Sequence, residues 1–255
     1  MRETNAYDRF SSRHAAYAKY RPSYPRELLE RLGSRIDLSP ERDVADIGAG
    51  TGIFTELLLE RGLNVRAVEP NADMLGAARK ALAHRGNFTA VEGTAEATTL
   101  ASSSVDVVFC AQAFHWFNND ATRAEWRRIL RPFGYAVLIW NNLDLNQELE
   151  RDYYDTLVAF ATDRGETLRR ARAVQSDNVL FGTGHREHIN LPSSQALDFE
   201  GLVGRTDSLS FAPEKSDPAH GALVAALRRI FDAHQREGKI TLRYETVMIF
   251  GQIAS

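Results

Sequence analysis

The sequence predicts an α/β protein with a doubly wound, mostly parallel sheet and helices on both faces. The main observation is that short apolar segments alternate with helical segments of about 10–15 residues, the pattern of βαβ units. A glycine-rich turn joins the first of these strands to a helix, as in nucleotide-binding folds. The length of 255 residues suits one domain of the larger α/β kind.

The first half of the chain carries the clearest alternation. Strands are predicted at 43–47, 64–70, 87–93, 104–113 and 135–142. Glycine, proline and capping signals delimit predicted helices at 25–33, 53–62, 72–86 and 122–134. Asn71 is expected to cap the third of these helices.

After Asn142 the pattern loosens. We expect a charged helix or helical pair at 144–175, a loop entering a strand at 177–191 and a short helix at 194–204. An amphipathic helix at 217–238 and a long β-branched strand at 239–253 close the chain.

Composition excludes several classes of protein. The net charge of −3 gives no basic field for nucleic acid, so no nucleic-acid partner is predicted. Cys110 is the only cysteine, which excludes a disulfide framework and a Cys-rich metal site; we expect it buried, and we expect no metal. No apolar run reaches the ~18 residues of a membrane span. We expect a cytoplasmic monomer or homodimer without a membrane partner.

The glycine turn DIGAGTG covers residues 46–52. Its glycines at 48, 50 and 52 form G-x-G-x-G, whereas a dinucleotide fingerprint needs a third glycine where Ile53 stands. This spacing disfavours an NAD oxidoreductase. Asp46 precedes the turn, and Glu69 ends the second strand, where an acid can accept both hydroxyls of a ribose.

Four motifs, in order, point to a family: DIGAGTG, VEPNADML, VEGTAEATTL and VDVVFCAQAFHWFN. They resemble the class I S-adenosylmethionine (SAM) dependent methyltransferases, in particular the type 11 group that acts on small molecules. The segments FSSRHAAYAKYRPSYP and YETVMIFGQI are similar to one subfamily of that group. The resemblance implies a Rossmann-like sheet of seven strands with an antiparallel last strand, which 239–253 could supply.

The resemblance also implies a cofactor site in the loops that follow the strands. The glycine loop would pass under the methionine part of SAM, and Glu69 would bind the ribose. Met74 and the turn at 94–96 would contact the adenine, although core packing explains Met74 equally well. The residues implied to bind SAM are Asp46, Gly48, Ala49, Gly50, Glu69, Met74, Thr94, Ala95, Glu96, Ala111 and Gln112.

The aromatic N-terminus can be an arm packed by its own rings or a lid over the cofactor. Tyrosine rings suit the cationic sulfonium of SAM, and a guanidinium can bind a carboxylate through two hydrogen bonds. We therefore predict that residues 7–24 close over the cofactor, with Tyr20 and Arg21 binding SAM and Tyr17 contacting the acceptor.

Four residues are candidates for the acceptor side, namely Tyr17, His115, Trp116 and Asn141. His115 follows the fourth strand and is the candidate general base, since histidine has a suitable pKa. Because the His-Trp pair recurs beside varied acceptors in the subfamily, a positioning role is favoured over proton transfer. The subfamily often has arginine where this chain has Leu143, so an acidic acceptor is not predicted.

The predicted activity is methyl transfer from SAM to an O, N or C nucleophile of a small molecule, mainly by proximity and orientation. One domain is expected over 1–255, with a lid at 1–25, a SAM-binding core at 26–142, a cap over the acceptor pocket at 144–205 and a closing unit at 206–255. Two alternatives stay open, an RNA methyltransferase and a non-catalytic SAM-binding protein. The first is disfavoured because the fourth strand ends in Ala-Gln-Ala-Phe, without the Pro-Pro-aromatic turn that receives a flipped base.

Overall fold

A seven-stranded sheet organises the protein. The computed structural model describes residues 13–163 and 178–254. In these ranges the strand order is β3-β2-β1-β4-β5-β7-β6. β1 to β5 are parallel, and β7 runs antiparallel to both of its neighbours, β5 and β6. The predicted seven strands with an antiparallel last strand are confirmed. The strands are β1 (Asp43–Ile47), β2 (Asn64–Glu69), β3 (Phe88–Glu92), β4 (Val105–Ala111), β5 (Leu130–Leu143), β6 (Arg186–Leu197) and β7 (Ile240–Gly251).

Helices connect and cover these strands. Within the described ranges they are α1 (His14–Tyr20), α2 (Glu27–Gly33), α3 (Ile53–Glu60), α4 (Ala72–Leu82), α5 (Asp120–Ile129), α6 (Glu148–Ala159), α7 (Asn178–Phe181), α8 (Phe199–Asp207) and α9 (Pro218–His234). A 3₁₀ turn, Phe114–Trp116, follows β4. None of the described helices has both the length and the apolar character that a bilayer crossing needs.

Two apolar cores lie on opposite faces of the sheet. Alternate side chains of β4 belong to one core or the other, because successive residues of a strand point to opposite faces of the sheet. Phe109 packs with the helices α2 and α3 on one face, and Cys110 packs with Trp126 of α5 on the other. Cys110 is fully buried, as predicted, and burial raises the pKa of its thiol well above the ordinary value.

A third core joins the second half of the chain to the sheet. Helices α6, α8 and α9 pack on the first half of β7 through residues such as Leu202, Leu227 and Leu242. The hydroxyl of Tyr153 in α6 hydrogen-bonds the hydroxyl of Thr206 in α8 at 2.9 Å. The segment expected to cap the acceptor pocket therefore shares one core with the closing helix and strand.

Two sequence predictions about elements were wrong. Residues 194–197 belong to β6, not to a helix, because this edge strand pairs with β7 along its whole length and tolerates Pro192. The helix predicted at 122–134 ends at Ile129, and β5 begins at Leu130, ahead of Pro132, which cannot donate a helical hydrogen bond. The N-terminal segment contains α1, which its irregular aromatic spacing did not indicate. The rest of the lid segment, residues 7–12, and the part of the charged helix beyond 163 lie outside the described residues.

The N-terminal segment is fastened to α8 and to the end of the sheet. Arg13 is buried, and its guanidinium donates to the carbonyl oxygens of Asp207 at 2.9 Å, Ala212 at 2.8 Å and Leu209. The hydroxyl of Tyr20 donates to Glu200 Oε1 at 2.7 Å. These bonds hold α1 beside the open end of the parallel strands.

The contact between α1 and α8 generates a prediction about stability. A Cβ at Gly204 would overlap the ring of Tyr20, so Gly204→Ala should lower the free energy of unfolding by about 1–3 kcal/mol. Gly221→Ala is the matched control, because it lies in α9 with nothing within 4 Å of its added Cβ. The control should gain about 0.5–1 kcal/mol of stability from helix propensity. Urea denaturation of both variants measures this; equal stabilisation of the two would contradict the packing of α1 on α8.

Candidate functional site

A cleft lies outside the carboxyl ends of β1, β4 and β5. Its empty volume is about 520 Å³, counting the space open to solvent. The strand order reverses between β1 and β4, and ligands of open α/β sheets bind at such a switch point. The lining residues come from the N-terminal segment, the ends of three strands, α3 and α8; they are Tyr17, Arg21, Pro22, Tyr24, Asp46, Gly48, Ala49, Ile53, Phe54, Ala111, Gln112, Asn141 and Arg205.

The glycine turn forms the floor of this cleft. Gly48, Gly50 and Gly52 have φ values of 71°, 58° and 87°, in the left-handed region that favours glycine. A Cβ at Gly48 would lie 2.7 Å from the Cβ of Ala113, so the turn and the segment after β4 pack too closely for a side chain. At Gly50 an added Cβ would lie 3.9 Å from Met74 and from Tyr17, an ordinary contact distance, so the turn packs beside both side chains.

Asp46 places a carboxylate with one unpartnered oxygen in the cleft. The residue is 1% exposed. Its Oδ2 accepts from the hydroxyl of Thr55 at 2.6 Å, while Oδ1 is buried without a hydrogen-bond partner in the described ranges. Burial raises the pKa of Asp46 to about 7; the Thr55 hydroxyl opposes this shift and the charge of Glu69 adds to it. A positively charged donor at Oδ1 would satisfy this oxygen and favour its ionised form.

Glu69 couples the end of β2 to the glycine turn. Its Oε2 accepts from the backbone N–H of Gly50 at 2.9 Å, and Oε1 accepts from the N–H of Asn71 at 2.9 Å. Burial raises the pKa of Glu69. Each carboxylate oxygen can accept more than one hydrogen bond, so acceptor capacity is left for ribose hydroxyls.

The residues expected around the adenine lie next to Glu69 rather than in the cleft. β3 pairs with β2 so that Glu92 stands opposite Glu69, which brings the turn at 94–96 to the same edge. Met74 is buried at the start of α4, where Asn71 Oδ1 accepts from its N–H at 2.9 Å, and the capping prediction is confirmed. Glu96 accepts from the side-chain amide of Asn119 at 3.0 Å.

These residues fit SAM. The unpartnered Asp46 Oδ1 suits its ammonium, the glycine turn admits its methionine part, and Glu69 can accept from its ribose. The predicted cofactor residues thus form two adjoining groups, one along the cleft and one beyond Glu69. Their assignment to SAM binding stays a prediction.

The structure brings Tyr17 and Arg21 into the cleft but leaves Tyr20 outside it. The Arg21 guanidinium lies over the Tyr17 ring, 4.7 Å from its centroid, and its Nη2 donates to the carbonyl of Ser208 at 3.1 Å. Tyr20 is the last residue of α1 and Arg21 is its extended C-cap, so the two side chains leave the chain in different directions. Tyr20 therefore faces α8, where its hydroxyl binds Glu200 and its ring packs on Gly204.

His115 and Trp116 occupy the 3₁₀ turn after β4. Their rings pack together with centroids 5.1 Å apart, and neither residue lines the cleft formed by the described residues. Phe114 and Phe117 on either side are buried in the core and fix this turn. Asn141 does line the cleft, and its amide donates to the carbonyl of Ser23 at 3.1 Å.

Arg205 is a cleft residue that sequence reasoning missed. It is 6% exposed; its Nε donates to the hydroxyl of Tyr244 at 3.2 Å, and its Nη1 is buried without a hydrogen-bond partner among the described residues. Burial lowers the pKa of Arg205, but the hydroxyls of Tyr244 and Tyr153 raise it by more, so the guanidinium stays charged. The sequence held no local signal for this role, because only the packing of α8 on the third core brings Arg205 to the cleft. Across the described ranges, no group of three or more His, Cys, Asp or Glu residues could hold a metal ion.

Comparison with known proteins agrees with this geometry. Residues 45–138 match the model of a methyltransferase domain family. An uncharacterised methyltransferase of Mycobacterium tuberculosis is 44% identical over 135 residues, which are 53% of this chain and 53% of that protein. An uncharacterised methyltransferase-like protein of Schizosaccharomyces pombe is 29% identical over 251 residues, 93% of each chain.

A solved structure extends the comparison to the fold. A provisionally assigned type II methyltransferase from Anaeromyxobacter dehalogenans superposes with a TM-score of 0.68 over 92% of this chain and 98% of its own, at 24% identity. The resemblance seen in the motifs is confirmed. The similarity to methyltransferases thus covers residues 45–138 in sequence, and the fold agrees over most of the chain.

Proposed function

We propose that this protein transfers a methyl group from SAM to an O, N or C nucleophile of a small-molecule acceptor. The observation that carries the proposal is the pairing, at one sheet edge, of the buried Asp46 with its unpartnered oxygen and of Glu69 bonded to the glycine turn. Bound SAM supplies a methyl group activated by a positively charged sulfur. The chain supplies binding and alignment, and holding the reacting atoms in line accounts for much of the rate of such a displacement.

Each group of residues has a separate task in this proposal. Asp46 binds the ammonium of the cofactor, Glu69 binds its ribose and Arg21 binds its carboxylate. Tyr17 places an aromatic ring beside Gly50, where it suits the sulfonium. His115 and Trp116 stand beside the cleft and orient the acceptor; proton abstraction by His115 is not part of the proposal, since its ring does not line the cleft.

Titration calorimetry and product analysis test the function. SAM and S-adenosylhomocysteine should bind with micromolar affinity, whereas NAD should show no heat of binding. Incubation with SAM and a metabolite extract should release S-adenosylhomocysteine and a methylated small molecule. Binding without any product would favour a non-catalytic SAM-binding protein, and product formed only with added RNA would favour an RNA methyltransferase.

The position of Gly50 beside Met74 and Tyr17 yields a prediction about cofactor affinity. Gly50→Ala should weaken S-adenosylhomocysteine binding at least tenfold, because its methyl group would enter the space between Met74 and Tyr17. Gly238→Ala is the matched control, since Gly238 has φ 75° and nothing within 4 Å of an added Cβ. Both variants carry a comparable backbone strain of about 1 kcal/mol. A loss of affinity in Gly50→Ala alone is therefore due to the added methyl group and not to strain in the backbone. Equal loss of affinity in both would show that the methyl group does not meet the ligand.

The raised pKa of Asp46 predicts a pH dependence. A carboxyl with a pKa of about 7 is largely neutral at pH 5 and cannot pair with the cofactor ammonium. The affinity for S-adenosylhomocysteine should therefore rise by about tenfold per unit between pH 5 and 7 and level off above pH 7. Calorimetry across this range measures it. In Asp46→Asn the affinity should be low and flat in pH; the same slope in this variant would assign the effect to Glu69, the titratable neighbour whose pKa is also raised.

The same shift predicts the pH dependence of stability without ligand. The folded-state pKa of Asp46, about 7, exceeds its ordinary value of 3.8, so the folded protein binds more protons than the unfolded chain between these values. The free energy of unfolding should fall as the pH rises from 4 to 7, on the order of a few kcal/mol. Urea denaturation should show a shallower fall for Asp46→Asn; parallel curves for the two proteins would contradict the raised pKa.

A further inference from the structure

Two guanidinium groups line one cleft. Arg21 belongs to the N-terminal segment and lies against Tyr17, next to the glycine turn. Arg205 belongs to α8 and is held at its Nε by Tyr244 of β7, on the side of the third core. The two cations therefore enter the cleft from different walls.

With the cofactor alone in the cleft, positive groups outnumber negative ones. Asp46 is the one carboxylate among the lining residues, against Arg21 and Arg205. SAM adds an ammonium, a sulfonium and a single carboxylate. Asp46 accounts for the ammonium and the cofactor carboxylate accounts for one guanidinium, so the other guanidinium has no counter-charge from either source.

Arg205 is the guanidinium left over. It forms no ion pair with a carboxylate in the described part of the chain, and its buried Nη1 lacks a hydrogen-bond partner there. Leaving a buried donor unsatisfied is unfavourable, and more so for a charged group. Its described contacts include Tyr244, which accepts from its Nε and whose ring centroid is 5.9 Å from its Cζ. Such a group is a preformed subsite for an anion.

We propose that Arg205 binds a carboxylate of the methyl acceptor, so that the substrates of this protein are small carboxylic acids. This inference rests on the proposed function and extends it to the substrate class. A carboxylate matches the planar guanidinium through two parallel hydrogen bonds. One available guanidinium and tyrosine walls suit a singly charged carboxylate better than a phosphate, which takes several donors.

The first experiment uses the wild-type protein saturated with S-adenosylhomocysteine. Calorimetry or ligand-observed NMR compares two acids, benzoate and succinate, with their uncharged amides, benzamide and succinamide, and with phenyl phosphate. At least one acid should bind at least tenfold more tightly than its amide. Equal affinity of acids and amides, no binding of either acid, or a preference for phenyl phosphate would overturn the proposal.

The second experiment locates the carboxylate. Arg205→Gln should abolish the difference between acid and amide, whereas Arg205→Lys, which keeps the charge, should retain part of it. Both variants should bind S-adenosylhomocysteine within about twofold of the wild type. Arg21→Gln should instead weaken S-adenosylhomocysteine at least tenfold. Arg243→Gln is the matched control, because this exposed arginine adjoins Tyr244 on β7 and should change neither affinity.

The outcomes separate this inference from the function on which it rests. If wild-type protein fails to bind S-adenosylhomocysteine, the proposed function fails. If the cofactor binds but Arg205→Gln weakens it as Arg21→Gln does, Arg205 holds the cofactor carboxylate and the substrate inference alone is wrong. Thermal melting of each variant shows whether a loss of binding is a loss of fold.

Discussion

The burial of Asp46 at the end of β1 is the constraint on which the site depends. Its strand lies at the centre of the parallel sheet, covered on both faces, and its carboxylate keeps only the Thr55 hydroxyl as a hydrogen-bond donor in the described ranges. A buried acid with an unsatisfied oxygen is unfavourable for the isolated fold. In the proposed function, the cofactor ammonium removes that cost when it binds, so part of the stability withheld from the free protein would become binding energy for the cofactor.

Glu69 links the glycine turn to the segment that precedes α4. By accepting from the N–H of Gly50 and of Asn71, it fixes the glycine turn and the start of α4 relative to each other. The turn cannot move away without breaking a charge-assisted hydrogen bond in a poorly solvated place, where such bonds are strong. The backbone of the glycine turn on one side of the cleft thus faces side chains of the N-terminal segment and of α8 on the other.

The sequence predicted the sheet and the position of the glycine turn after its first strand, because both depend on local patterns. The strand at 43–47 was placed to the residue, and the glycine spacing excluded a dinucleotide fingerprint at Ile53. Predictions from the sequence were less accurate where tertiary packing determines the secondary structure or the direction of a side chain. Residues 194–197 read as helical from composition, yet pairing with β7 makes them a strand. Tyr20 and Arg21 are adjacent in sequence, and only the docking of α1 on α8 shows that Arg21 lines the cleft and Tyr20 does not.

Arg205 shows why the acceptor side resists prediction. Its cationic end reaches the cleft because α6, α8 and β7 share a core, and that core is built from residues far apart in sequence, such as Tyr153 and Leu242. No sequence motif indicates that these distant residues form one core. The arginine that the subfamily often carries is Leu143 here, and the absence of that residue argued against an acidic acceptor. In the proposal above, a guanidinium delivered from α8 meets the same chemical need from another wall of the cleft, so the absence of one motif residue does not by itself exclude its function.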